Sequence, residues 1–540
     1  MTRSRVLGVA GLAVVALLAF AVYRLLAPVT EKKVEQRVEQ VGLSANEIAA
    51  NGPLPGDVSL YAKELACAQQ QSTPGYYASI NGAELADARR SGVFECATFS
   101  GSFDGPNQVF AWRSAVAYDA TMYINNRKPG ELYISGGQMP PSKGALPAGP
   151  FVAKADATTG REIWRTYLDN GNVSGAWIAS TNLNILPGGR IVTAWENTVA
   201  LLDGDTGLIL KQATLPTGPT PAADANYKHL TIAPDGTLIL KDQTRPGGCK
   251  LQGTMAIMQC DEPGMKQGNS NLVAVHPETL EVLDSLALPE PATVPHVITM
   301  FEGRIAIYLG VNSGALRYFW DPAAKKLSQD TSWVVKPMQK GQTTSDAPSL
   351  LGEWIVLQTN GIGSETVASS IVAVHQKDAT RMKVIFPFGE LKKGEWSWAP
   401  PKPQTDPENS MIYSADMGIG KVAGIRIDQA TGEMKTQWMV DATTNAFQPL
   451  IGPKEKRVML LSNAKKNVEK EPIKLALFTA NYKEQVTWRD AATGRIIAES
   501  NFFEPLSIGS LITPGFGGRI YFPSGKGFMV MQVVPKAALK

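Results

Sequence analysis

The stretch Asp156-Ala157-Thr158-Thr159-Gly160-Arg161-Glu162-Ile163-Trp164 decides how this chain is read. An Asp that can bond its own backbone two residues on, followed by a Gly that accepts positive φ, reverses the chain, and strand-forming residues follow. The same turn recurs at Asp203-Gly204-Asp205-Thr206-Gly207, Asp428-Gln429-Ala430-Thr431-Gly432 and Asp490-Ala491-Ala492-Thr493-Gly494. Degenerate copies stand at His276-Pro277-Glu278-Thr279, Asp321-Pro322-Ala323-Ala324 and Gln376-Lys377-Asp378-Ala379. Recurrence at blade-like intervals marks a repeat architecture. The Asp203-Gly204-Asp205 copy lacks the rest of a calcium loop with its terminal Glu, so it is read as turn chemistry.

A second element runs between the hairpins: a turn followed by a short apolar or alternating strand. Its eight copies are Gly130–Ile134, Gly189–Val192, Gly236–Leu240, Gly303–Ile307, Gly352–Val356, Asn409–Tyr413, Lys456–Leu460 and Gly518–Phe522. Their spacing averages about 55 residues, which suits a four-stranded propeller blade of about 40 to 50 residues plus loops. Eight strands but seven hairpins leave the last blade without its outer strand. The segment around Tyr76-Tyr77-Ala78 or Val93-Phe94-Glu95-Cys96-Ala97 is expected to supply it, because closing the ring pairs edges that an open sheet exposes. The expected fold is all-β: an eight-bladed β-propeller, seven blades being the alternative, closed by an N-terminal strand and preceded by a single transmembrane helix.

Composition agrees. The 50 Gly and 36 Pro are about 16% of 540 residues, and charged residues are only 19%, against roughly 12% and 25% on average. That excludes a disordered chain, a coiled coil and a polytopic membrane protein, and it favours many short strands and turns. Net charge is +3, so there is no basic excess for a phosphate backbone and nucleic acid is not an expected partner.

After Arg3 and Arg5, residues Val6 to Tyr23 carry no charge, enough for a helix of roughly 27 Å that just crosses a bilayer. The arginines keep the N-terminus cytoplasmic and send the rest across. One reading is an uncleaved signal anchor over 6–27; the other is a signal peptide cleaved near Ala21, at the small residues of Ala19-Phe20-Ala21. The expected organisation is a cytoplasmic segment 1–5, the anchor 6–27, a helical stalk and linker 28–59, the propeller 60–535 and a basic tail 536–540. The location is the inner membrane with the propeller in the periplasm or exterior, or the periplasm after cleavage. The four cysteines suit an oxidising compartment. Cys67 and Cys96 are close in sequence, as are Cys249 and Cys260, so local pairing is the simplest of three connectivities. No CxxC or Cys/His cluster points to a metal.

The Asp156–Trp164 stretch resembles the quinoprotein-like (PQQ-like) propeller family, whose repeats carry an Asp-Ala-x-Thr-Gly turn and a following strand with Trp. The other clear copies carry Lys211, Thr436 and Ala498 at the Trp position, and the vicinal Cys-Cys of the cofactor-using dehydrogenases has no counterpart. The resemblance therefore implies the fold and a member without the dehydrogenase cofactor signature, of the kind that serves as a scaffold.

Residues just upstream of the strands nearest the axis are the first candidates for a site: Trp112, Trp177, His229, His296, Asp346, Trp398, Phe447 and Ser507. His296 can act as a general base, with Asp346 orienting it or acting as an acid; alternatively the whole set packs or hydrogen-bonds at the funnel rim. No G-x-S-x-G elbow or P-loop is present. The Cys249–Cys260 loop carries an apolar Met255-Ala256-Ile257-Met258 tip, either covering blade three or offering an adaptable contact surface. The expected function is a protein-binding or assembly module of the cell envelope, meeting envelope proteins through a propeller face or the 249–260 loop and the membrane through 6–27, with no cofactor. The alternatives are an exported quinone-dependent dehydrogenase of an alcohol or sugar, using PQQ with calcium, and a propeller that binds a small ligand.

Overall fold

The alternating apolar runs become strands in the computed structural model, which describes residues 56–540 apart from 72, 114–120, 137–149, 159, 169–181, 251–259, 261–264, 362, 445–447, 472, 474–475, 477–480, 504–510, 525–526 and 540. The strands form eight mostly four-stranded antiparallel sheets, the blades of an eight-bladed β-propeller. Each of the eight sequence repeats is the second strand of a blade, from Glu131–Gly136 in blade 1 and Ile191–Trp195 in blade 2 to Arg519–Ser524 in blade 8. The innermost strands are Thr121–Asn125, Asn182–Ile185, Ala225–Ile232, His296–Phe301, Ser349–Leu351, Gln404–Asp406, Leu450–Ile451 and Thr513–Pro514. The Asp-to-Gly hairpins join third to outer strands, as between Phe151–Asp156 and Glu162–Tyr167.

Apolar side chains from facing sheets meet between blades. Between blades 4 and 5, for example, Val297, Tyr308, Trp333 and Val335 pack on Ile355, Leu357, Val372 and Val374. Stacked blades also explain the tryptophans. Glycines 207, 432 and 494 of the hairpins have positive φ (76°, 79° and 74°), and a Cβ on each would lie 2.5, 2.3 and 2.7 Å from the rings of Trp164, Trp354 and Trp438. These three hairpins must end in glycine because the indole of the preceding blade leaves no room for a Cβ. Trp438, two positions beyond Thr436, plays the part of Trp164 against the next hairpin; each of the two pairs with its third strand just past a one-residue register shift, at Gly424 and at Lys154. A fixed spacing count from the turn misses it.

Ring closure differs from expectation. Asn107–Arg113 forms the outer strand of blade 8, paired antiparallel with Gly527–Pro535 from Asn107↔Pro535 to Arg113↔Met529. Val93–Phe94 instead adds a short parallel strand to the inner edge of blade 7, at Leu450–Ile451. The reason is length: seven ladder positions are needed along the edge of blade 8, whereas the run after Val93 stops at Cys96, which is tied to Cys67. Tyr76 and Tyr77 form no strand; Tyr77 N–H donates to the Ile185 carbonyl (2.8 Å) and the Tyr76 hydroxyl accepts from Ile232 N–H (2.8 Å).

Both local disulfides form, Cys67–Cys96 and Cys249–Cys260. A ten-residue helix, Tyr61–Gln70, precedes the first and docks its buried Glu64 on the backbone of Gly517 (2.7 Å). Among the described residues no helix is long and apolar enough to cross a membrane. The expected anchor over 6–27, Trp177, Phe447, Ser507 and the Met-Ala-Ile-Met tip lie outside them.

Candidate functional site

The axis of the ring is filled by the chain's own N-terminal segment, residues 78 to 97. Its carbonyls at Asn81, Gly82, Ala88, Gly92 and Phe94 accept hydrogen bonds from the backbones of Asn126, Ile185, Ile298, Leu450 and Gly452, at 2.8 to 3.3 Å. The Ser91 carbonyl takes Gln404 Nε2 from blade 6. Three non-glycine residues of the segment, Leu85, Ala86 and Arg90, have positive φ (55°, 80° and 51°). Such strained conformations persist only where surroundings over-determine them, and here neighbours on five blades do so.

Arg90 is the hub of the axis. It is buried and bonded at two points to buried Glu84, with Nη1 to Oε2 at 2.9 Å. Around it stand His229 and Lys228 from the inner strand of blade 3, His296 from that of blade 4, Asp346 before blade 5 and Lys402 before blade 6. Burial, then Arg90 and Lys241, hold the His296 imidazole well below its ordinary pKa, outweighing a pull upward from the Ile239 backbone. Burial, Lys241, Lys228 and Arg90 do the same to His229. Burial also lowers Lys402 to about 7, although its ammonium donates to Ser349 Oγ (2.9 Å), and raises Asp346 to about 6 against the pull of Arg90. Lys241 and neighbouring Asp242 are likewise pushed toward neutrality by burial.

The predicted residues thus divide. His229, His296 and Asp346 share the electrostatic neighbourhood of Arg90, as a funnel set should. No hydrogen bond joins His296 to Asp346, whose Oδ1 accepts from Ala347 N–H. A general base must lie within hydrogen-bond reach of its proton and its orienting group. Trp398 packs, with its ring 5.1 Å from that of Trp396 and Nε1 donating to the Gly361 carbonyl at 2.9 Å. Trp112 lies on the closing strand of blade 8 rather than upstream of an inner strand.

A hollow lies at the opposite end of the inner strands, on the face that carries the Asp-to-Gly hairpins. A cavity of about 620 Å³ opens there between the axial segment and blades 4 to 7. Its floor is Arg457, 2% exposed, which donates from Nε to Asp406 Oδ2 (3.2 Å) and from Nη2 to Glu408 Oε2 (2.7 Å) and Glu95 Oε1 (3.3 Å). Gln71 Nε2 donates to Glu95 Oε2 (2.7 Å), and Arg89 grips Asp87 at 2.9 Å. The Glu95 and Glu408 carboxyl groups lie within hydrogen-bond reach of one another. Burial raises Glu95, but the bonds from Glu408 and Gln71 and the Arg457 charge bring it below its ordinary value. The bond to Glu95 comes first in raising Glu408, with burial adding to it. Reading upstream of the inner strands points to their opposite ends and so misses this face.

This is an eight-bladed propeller with a self-filled axis. No family model matches the sequence, and no curated protein matches it. Among solved structures the chain is similar to BamB from Moraxella catarrhalis, at 13% identity over 78% of this chain and 96% of that one, with TM-score 0.44. It is similar to the quinohemoprotein alcohol dehydrogenase of Comamonas testosteroni at 12% identity over 88% and 84% (TM-score 0.46), and to Sqt1 of Saccharomyces cerevisiae at 10% over 79% and 98% (TM-score 0.47).

Proposed function

We propose that this chain is a membrane-tethered extracytoplasmic propeller that works by binding other proteins, as an assembly module of the cell envelope. The observation that carries the reading is where the exposed apolar surface lies. The axis is taken up by residues 78 to 97, while outer strands at the perimeter present apolar side chains beside unpaired backbone edges. In blade 2, Leu208, Ile209 and Leu210 are exposed at the start of a strand open on both faces; in blade 5, Met382, Val384 and Phe386 are exposed at alternate positions. An edge strand with exposed apolar residues is a template for another chain. The N-terminal apolar run supports the tether and export.

The dehydrogenase alternative needs residues fitted to PQQ and its calcium. The described residues at the axis do not fit a calcium ion: of the carboxylates there, Glu84 is held by Arg90, Asp242 accepts from the Asn271 N–H, Asp346 accepts from the Ala347 N–H, and the groups around them, Arg90, Lys228, Lys241 and Lys402, are basic. Hard dications take six to eight oxygens, several of them anionic.

The test places a photo-crosslinking residue at Leu210 or Phe386 of the full chain in its own membranes, with Lys325 on an exposed turn as control. Adducts of discrete mass from the two apolar sites, absent at the control, are the expected result. Saturable quinone binding with calcium-dependent dye reduction in the presence of an alcohol would overturn the proposal in favour of the dehydrogenase.

A further inference from the structure

We infer that the projecting tip of blade 7 docks an acidic segment of a partner protein, Lys465 and Lys483 meeting its carboxylates and Phe502 its apolar residue. The second and third strands of that blade, Val458–Lys466 and Tyr482–Asp490, pair over nine positions, from Val458↔Asp490 to Lys466↔Tyr482. The outer strand, Ile496–Glu499, covers only Thr487 to Arg489. The ladder therefore runs on past its own outer strand, and near its end Lys465 stands directly opposite Lys483. Like charges so placed are destabilising. Both lysines are exposed, and among the described residues neither has an ion-pair partner.

Other ladders of this protein compensate their charges. In blade 6 Lys421 stands opposite Asp441 and pairs with it at 2.9 Å. Glu131, opposite Asp156, is held by Arg127 and Lys154, and Arg426, opposite Lys435, shares the surroundings of Tyr413 with Asp406 and Asp490. On blade 7, Glu499 lies opposite Thr487 on the face of Lys483 but accepts from Gln485 Nε2 (3.2 Å). The neighbouring Lys466 has a structural task, donating to the carbonyls of Glu469 (2.5 Å) and Glu471 (3.0 Å) and so fixing the tip. Lys465 and Lys483 hold no backbone among the described residues, so their repulsion is a cost that an anionic partner removes. Apolar surface beside them favours a protein as that partner. Lys465 Nζ lies 5.7 Å from the ring centre of Phe502, which is 38% exposed, and Val468, 53% exposed, follows on the tip. A bare anion uses neither, whereas an acidic segment with an aromatic residue uses both. This surface is separate from the outer strands of blades 2 and 5, so its test and theirs fail independently.

The experiment titrates the full chain in zwitterionic nanodiscs with the peptide acetyl-Glu-Glu-Phe-Glu-Glu-amide, followed by fluorescence anisotropy of a label on it. Acetyl-Lys-Lys-Phe-Lys-Lys-amide is the control, and phosphatidylglycerol vesicles form a separate arm. Saturable binding of the acidic peptide that weakens as salt rises is the expected result. Lys465→Gln with Lys483→Gln is expected to weaken it at least about tenfold, and Lys325→Gln to leave it unchanged. Lys483→Glu sets an acid opposite Lys465, as Asp441 stands opposite Lys421. That variant is expected to lose binding yet melt at the wild-type temperature or above, because the lysine pair does not serve the fold. No saturable binding up to about 10 mM, binding unchanged in the double variant, or a lowered melting temperature in Lys483→Glu overturns the inference. Lysine-dependent binding of the vesicles without binding of the peptide overturns it in favour of a lipid surface.

Discussion

Arg90 and Glu84, six residues apart on the segment that fills the propeller axis, form a two-point ion pair with both side chains almost wholly shielded from water. Removing one member leaves a buried charge without its partner, which costs about 3 to 5 kcal/mol, whereas replacing both by apolar groups is often close to neutral. Arg90→Leu is therefore expected to destabilise the protein by an amount in that range, and Arg90→Leu with Glu84→Leu to recover most of it. Urea denaturation of the two singles and the double checks this. Additive losses in the double variant would show that the pair is not coupled.

The disulfide Cys67–Cys96 closes a loop of 29 residues that contains most of the axial segment. Cys67→Ser with Cys96→Ser is expected to cost about 2 to 4 kcal/mol, largely by releasing the unfolded chain. The loss should be local first. Hydrogen exchange at Gly92 to Ala97 should accelerate while the second strand of blade 3, Leu238–Thr244, keeps its protection; uniform acceleration would mean that the segment is not held separately.

Gly432 and Gly389 have similar positive φ, 79° and 74°, but different surroundings. At Gly432 a Cβ would lie 2.3 Å from the Trp354 ring, and at Gly389 it would meet nothing within 4 Å. Gly389→Ala should thus cost about 1 kcal/mol from backbone strain alone. Gly432→Ala should cost about 2 to 4 kcal/mol, because displacement of the indole adds to it. Thermal melts of the two variants decide whether blade stacking or turn conformation dictates the glycine.

Asp346 titrates near 6 in the folded protein, raised by burial from an ordinary value of 3.8. The folded state then holds its proton more tightly than the unfolded one, so this group's contribution is fully present below about pH 4 and lost as pH rises through 6. The shift of about two units corresponds to about 3 kcal/mol at most. The stability of the wild type relative to Asp346→Asn should therefore fall between pH 4 and 6 and level off above it. A flat difference across that range would place the carboxyl in a solvated setting.

Much of the fold was legible along the chain. Every second strand and hairpin appeared as a run of residues with its own turn signal, because a blade is built from neighbours in sequence. The closing strand was not. Asn107–Arg113 pairs with Gly527–Pro535 across more than 400 residues, and no local pattern distinguishes it from Val93-Phe94, which also reads as extended. One tryptophan was hidden in the same way: Trp438, two positions beyond Thr436, packs on the Gly494 hairpin, and a residue count from the turn does not find it.

The candidate site was legible only in part. His229, His296 and Asp346 were found by their position before or within inner strands, and they do converge. Their hub, Arg90, comes from a segment with no strand or turn motif, and the cavity around Arg457 draws its walls from residues 68 to 457.

By itself, then, the sequence determined the repeat and an apolar N-terminal run, and it favoured eight blades and local disulfides, all of which depend on residues near one another in the chain. The tertiary structure alone decided which strand closes the ring, that the axis is filled, and which buried charges meet a counter-ion. Those outcomes turn on pairing and burial between distant segments: whether a charged side chain meets its counter-ion or water is set by what folds against it, and the linear order does not carry that.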